Sequence, residues 1–303
     1  MWRIPAIAYG DGNHPMWGPV TSTINWCEED YIVTTYCAEL INSLTNLMFV
    51  YVSGKGIWNC IKHGHDSVFL ATWISFLIVG LGSFLFHSTL WYSMQLVDEL
   101  SMINTTLIMW FATFGHKQSK RFNWVLALFL ISVLVIVASV YHYLGDPVFH
   151  QNVYAILTII VIGRSWYQVH TCVKETSPEH YRNMRDMVLL GLASVGAAFI
   201  LWNLDTIFCG RLRDVRREIG MPWGFVLEGH AHWHLLTGLG GYFYITYGLY
   251  LRYVLDQRTD EYEFIWPSRL TALPCVRRRP GFVKGIKLVN GVNETDGASK
   301  KNL

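Results

Sequence analysis

Near its two ends the chain writes one spacing into apolar sequence, as Ser83-Phe-Leu-Phe-His87 and as His230-Ala-His-Trp-His234. Residues i and i+4 share one helical face, so each pair would project together. Three imidazoles converging from two helices suit zinc, and a three-ligand zinc keeps a position open for water or substrate. That predicts hydrolysis. Asp98 fits a general base that takes a proton from water and returns it to a leaving group. It fits almost as well a carboxylate that holds one histidine tautomer. Ser83 suits donation to a developing oxyanion or, equally, helix packing. Asp205, in Trp202-Asn-Leu-Asp205, is a candidate for a partner behind the ligands. His232 lies two positions from both His230 and His234 and points to another face, so it is left out of the ligand set. His142, His150 and His170 stand alone and read as packing or hydrogen-bonding residues.

The elements that must position these groups are membrane helices. The 303 residues are 52% hydrophobic and 15% aromatic but only 15% charged, a balance that a soluble domain would struggle to keep in solution. Apolar stretches long enough to cross about 30 Å of hydrocarbon fall at 37–57, 67–87, 96–115, 123–144, 148–170, 187–208 and 230–254. The expected fold is therefore all-α, a polytopic seven-transmembrane-helix bundle spanning 37–255. A net charge of +2 with no basic stripe argues against a nucleic-acid partner. No apolar h-region of signal-peptide length is found at the N-terminus, so the first helix is expected to act as the targeting signal.

Orientation follows from the positive-inside rule. With the N-terminus (1–36) in the lumen, the cytosol receives Lys55, Lys62, Lys117, Lys120, Arg121, Lys174, Arg182, Arg185 and the basic tail. Arg3 and the cluster Arg211, Arg213, Arg216 and Arg217 fall on the other side, the cluster against the rule. Residues 256–303, rich in charge with a run from Arg277 to Gly281, are expected to form a largely disordered cytosolic tail. Its end, Lys300-Lys301-Asn302-Leu303, resembles a dilysine retrieval signal and places the chain in the endoplasmic reticulum or the adjoining Golgi.

The order Ser83-x3-His87, then Asp98 in Met-Gln-Leu-Val-Asp-Glu, then His230-x3-His234 resembles the seven-helix zinc hydrolase superfamily of alkaline ceramidases and adiponectin-type receptors. Asn25-Trp-Cys-Glu-Glu-Asp-Tyr31 followed by Ala38-Glu39 narrows the resemblance to alkaline ceramidases, over roughly residues 18 to 255. It implies cleavage of the N-acyl amide of phytoceramide, dihydroceramide or ceramide to a sphingoid base and a fatty acid, the substrate entering from the bilayer. It also implies zinc on His87, His230 and His234, Asp98 as proton shuttle and Ser83 at the oxyanion. A calcium site is implied at Asn25, the Trp26 carbonyl, Glu28, Asp30 and Glu39, an oxygen set suited to a hard cation. The family pattern has Asp at position 25 and Asn at position 30, so the two departures cancel in charge. The bland alternative for these acids is ordinary headgroup-facing surface.

On the expected topology Cys60, Cys172 and Cys275 face the reducing cytosol and Cys37 lies in the first helix. Cys27 and Cys209 alone share the oxidising side, which predicts their disulfide. The sequons at Asn104 and Asn293 fall in a helix and in the cytosolic tail, so neither is expected to carry glycan. Two other readings compete with the hydrolase. A receptor of adiponectin type would have a long polar N-terminus, and a metal transporter would place ligands at several depths.

Overall fold

The structure, a computed structural model, describes residues 5–282 together with the backbone of 288–289 and 292–293. Arg3, the side chain of Asn293 and the terminal lysines lie outside the described residues. The fold is all-α. Seven long helices occur among the described residues: α2 (Leu47–His63), α3 (Ser67–Thr89), α4 (Tyr92–Phe114), α5 (Lys120–Leu144), α6 (Pro147–Cys172), α7 (Pro178–Ile207) and α9 (Gly229–Leu255). Short helices α1 (Leu40–Thr45) and α8 (Cys209–Ile219) lie before α2 and after α7. Of these, α3, α5 and α7 are long and apolar enough to cross a membrane.

Local sequence explains where the helices start and stop. The Ser119 hydroxyl accepts from the Phe122 N–H to begin α5, and Asp146 caps α6 ahead of Pro147, whose missing N–H is no loss at a first helical position. Gly64 and Gly145, both left-handed, close α2 and α5. The expected first span is in fact two helices broken at Asn46, because Asn42, Thr45 and Asn46 face inward and serve the site. The sixth begins earlier than its apolar core, at Pro178, since a polar first turn extends beyond the hydrocarbon-like segment.

The packing order is α2 on α3, α3 on α4, and the α5–α6 pair on the outside of α4. The most buried helix, α9, lies on α7 and closes against α2, touching α3, α4 and α6. By contrast, α6 and α7 barely meet.

The segment after α9 differs from its expected disorder. Strands β1 (Tyr262–Ile265) and β2 (Cys275–Arg278) pair antiparallel and pack across the ends of α2 and α9. Tyr262 stacks on Tyr253 with ring centroids 3.9 Å apart, and Val276 is fully buried. His65 and the Asn59 amide both bond the Val276 carbonyl, at 3.0 and 2.8 Å. Arg277 pairs with Glu263 and Arg278 with Glu261, so charges that read as a disordered tail are cross-strand partners. Truncating Tyr262 to Ala should lower stability in detergent by about 3 kcal/mol, the usual cost of deleting a buried aromatic ring, whereas Leu270→Ala, at an 87% exposed position, should leave it unchanged. Equal thermal unfolding of the two variants would contradict the docked hairpin.

Candidate metal centre

The last turn of α3 carries His87, and the first two turns of α9 carry His230 and His234, so the two helices deliver all three imidazoles to one end of the bundle. Their candidate ligand atoms lie within 4.8 Å of one another and all three residues are buried. Ring centroids are 4.6 to 5.1 Å apart. The rings are held in different ways. Nδ1 of His87 meets the fully buried Glu39 carboxylate, leaving Nε2 towards the other rings. Nδ1 of His234 lies 3.1 Å from the Thr45 hydroxyl at the end of α1. His230 instead stacks on the Trp26 indole, centroids 4.1 Å apart and planes 15° from parallel, and its Nδ1 is buried with no hydrogen-bond partner.

One turn before His87, Ser83 lies beside the Asp98 side chain of α4. The contact exists because α3 and α4 approach closely at Gly82, where a Cβ would stand 2.9 Å from Val97 Cγ1 and 3.1 Å from the Asp98 nitrogen. Beside Asp98, Glu99 enters a buried network in which Gln95 and Tyr141 donate to its carboxylate while His150 bonds its carbonyl at 2.8 Å. Gln95 also accepts from the Thr23 N–H at 2.9 Å, tying the N-terminal segment to α4. Among the described residues Asp205 forms no hydrogen bond or ion pair with an imidazole. Its carboxylate accepts from the Gly229 N–H at 3.1 Å, so it caps the helix that carries His230.

The five residues read as a calcium set surround this corner, but most of the oxygens that would bind the ion have protein partners. Both Glu28 oxygens accept backbone N–H bonds at 2.7 Å, from Ile41 and Asn42, and so cap α1. Asn25 donates to Asp30 at 2.9 Å, the Trp26 carbonyl accepts from Arg213 at 3.3 Å, and Glu39 serves His87. Among the described residues the three histidines form the one group of ligating side chains close enough to share an ion. Burial, with Glu228 and Glu39 nearby, pushes the Glu28 carboxyl well above its usual range, and burial also raises Asp30 against the bond from Asn25. The Asp30 Oδ1 is buried without a partner.

Cys27 and Cys209 form the expected disulfide, their Cα atoms 5.4 Å apart, fixing the acidic segment to the start of α8. The arginines that broke the charge rule are mostly structural: Arg213 and Arg216 reach the Cys27 carbonyl at 2.9 and 3.2 Å, and Arg217 pairs with Glu29. Sequon residue Asn104 is half-buried in α4 and donates to Ser75 at 2.8 Å.

The profile of the family described as Ceramidase matches residues 18–277. The chain belongs to the ceramidase family. It is 36% identical over 258 residues to Alkaline ceramidase 3 of Mus musculus, covering 83% of this chain and 93% of that protein. To Alkaline ceramidase YPC1 of Saccharomyces cerevisiae it is 33% identical over 264 residues, with 83% of each chain covered. An alkaline ceramidase of Arabidopsis thaliana is 28% identical over 243 residues.

This member of the family has a donor set that fits zinc. Three buried imidazoles converge, two with their second nitrogen engaged and the third with an orphaned Nδ1, the state a metal ion would satisfy. Replacing Glu39 by Gln should weaken metal retention about 10- to 100-fold, as loss of a partner behind a ligating histidine generally does. Chelator competition in calcium-free buffer measures it, and wild-type retention would contradict the role given to Glu39.

Proposed function

We propose that the chain is an intramembrane amidase that hydrolyses the N-acyl amide of ceramides to a sphingoid base and a free fatty acid, using zinc held by His87, His230 and His234. The convergence of those three buried imidazoles in a ceramidase-family chain is the observation that carries this reading. When bound, zinc supplies a Lewis acid able to acidify water and polarise an amide carbonyl.

The chain's own residues supply the proton traffic. Asp98 takes the proton from the attacking water and delivers it to the amide nitrogen as the C–N bond breaks. The Ser83 hydroxyl lies beside Asp98 and can donate to its carboxylate while that is charged. Once Asp98 carries the proton it can donate to Ser83, which frees the Ser83 hydroxyl to donate to the oxyanion on the carbonyl carbon. The balance is one amide and one water in, one amine and one carboxylic acid out.

Ceramide is mostly hydrocarbon, so it would reach the site from lipid, and the sparse contact between α6 and α7 is where a chain could pass. Seven spans, with the histidine end in the lumen of the endoplasmic reticulum and the β1–β2 hairpin in the cytosol, agree with the disulfide at the first end and free Cys60 and Cys275 at the second, although Cys37, which precedes α1 at the histidine end and does not lie in the first helix, is also free and buried against Ser43 and Ser88. The receptor reading gains nothing from the comparisons, whose named relatives are ceramidases.

Calcium would bind as a regulatory ion at Asn25, the Trp26 carbonyl, Glu28, Asp30 and Glu39. Crowded buried carboxylates and the orphaned Asp30 Oδ1 support this. The ion would redirect oxygens that now serve α1 and His87, which couples it to the zinc ligands.

Two experiments test these proposals. Purified protein should release fatty acid from a panel of ceramides, and His87→Ala should abolish release; full activity in that variant would refute the mechanism. Chelating calcium with zinc retained should lower turnover, and unchanged turnover would remove the regulatory role.

A further inference from the structure

The basic cluster of α8 takes no part in the chemistry above, yet Arg216 is fully buried. We propose that Arg216 is a positioning residue for His230, holding that imidazole at the metal from outside the site. The inference rests on the zinc reading and concerns the ligand whose ring is held by stacking on Trp26, whereas Glu39 holds His87 and Thr45 holds His234 through Nδ1.

Two features orient His230. One face of its ring lies against Trp26, and its backbone starts α9 immediately after Gly229. Arg216 grips both. Its Nη1 pairs with Glu228, a 2% exposed carboxylate at the N-cap of α9, two residues before His230. Its Nη2 donates to the Cys27 carbonyl at 3.2 Å, one residue after Trp26, and lies 2.9 Å from the Cys27 sulfur. Its Nε donates to Leu212 within α8, which keeps the fork from rotating. Arg213 also reaches the Cys27 and Trp26 carbonyls but belongs to the Trp26 side alone.

The guanidinium therefore sets the distance between the residue that covers the His230 ring and the helix start that carries it. A planar fork with fixed donors can hold two partners in two directions, whereas an ammonium is a point charge without that geometry. Arg216→Lys keeps the charge opposite Glu228 and loses the simultaneous grip on Cys27. A second variant, Arg216→Met with Glu228→Met, removes the ion pair without stranding a buried charge, a replacement that folded proteins commonly tolerate.

The test uses the full chain purified in detergent, with zinc affinity read by chelator competition and ligand geometry by the visible spectrum of the cobalt(II) form. Wild-type protein should bind both ions. Arg216→Lys and the double methionine variant should each lose about 10- to 100-fold in zinc affinity, the range for partners behind a metal ligand, and change the cobalt spectrum, while their metal-free forms unfold near the wild-type temperature. Arg217→Lys, in the outer pair with Glu29, should keep wild-type affinity. A folded Arg216 variant with wild-type affinity and spectrum would overturn the inference alone. Wild-type protein that binds neither ion would overturn the zinc reading and this inference with it.

Discussion

The contact between Glu39 and His87 is the constraint on which the rest of this corner depends. A carboxylate and an imidazole buried separately in an apolar bundle would each be costly, and together they satisfy one another and fix which nitrogen of His87 faces the site. For Glu39 to reach His87, the chain before α1 must fold over the end of α3. It does so through backbone bonds from the Ala38 and Glu39 N–H groups to the Ser88 and His87 carbonyls, at 3.0 and 2.9 Å. With that seam closed, Glu28 caps α1, α1 presents Thr45 to His234, and Trp26 falls onto His230. The N-terminal segment is thus part of the centre it covers.

Close helix approach is the second requirement. A Cβ at Gly82 would collide with α4, and one at Gly229 would stand 2.6 Å from the Asp205 Cβ on α7. These two glycines let α3 and α9 seat deeply enough to bring Ser83 beside Asp98 and to form the Asp205–Gly229 bond. Tight packing here contrasts with the thin contact between α6 and α7. Rigidity is concentrated around the imidazoles, while the wall a lipid would have to cross is lightly held.

Much of this was legible in the sequence because it is periodic or sparse. The i, i+4 spacing revealed His230 and His234, long apolar stretches located the helices, and compartment reasoning paired Cys27 with Cys209. What escaped depends on long-range contacts between residues of ordinary type. The contact of Glu39 with His87 is one case, because nothing local says that the two face each other. Asn46 read as part of a continuous span, although it breaks one. The α8 arginines looked like a violation of the charge rule until their carbonyl and carboxylate partners were in view. Of the missed groups, only Gln95 and Glu99 carried a signal, a four-residue spacing that puts both on one face of α4. The hairpin after α9 was hidden because composition counts its arginines and prolines but not the aromatic side chains that dock it.

The central claim is that three imidazoles, rather than carboxylates or thiols, hold the ion. X-ray absorption at the zinc edge of the purified protein measures this directly. The account predicts bound zinc whose first shell contains three imidazole nitrogens at about 2.0–2.1 Å, completed by oxygen. Zinc surrounded by fewer than three imidazoles or by sulfur, or protein that retains no zinc, would contradict it.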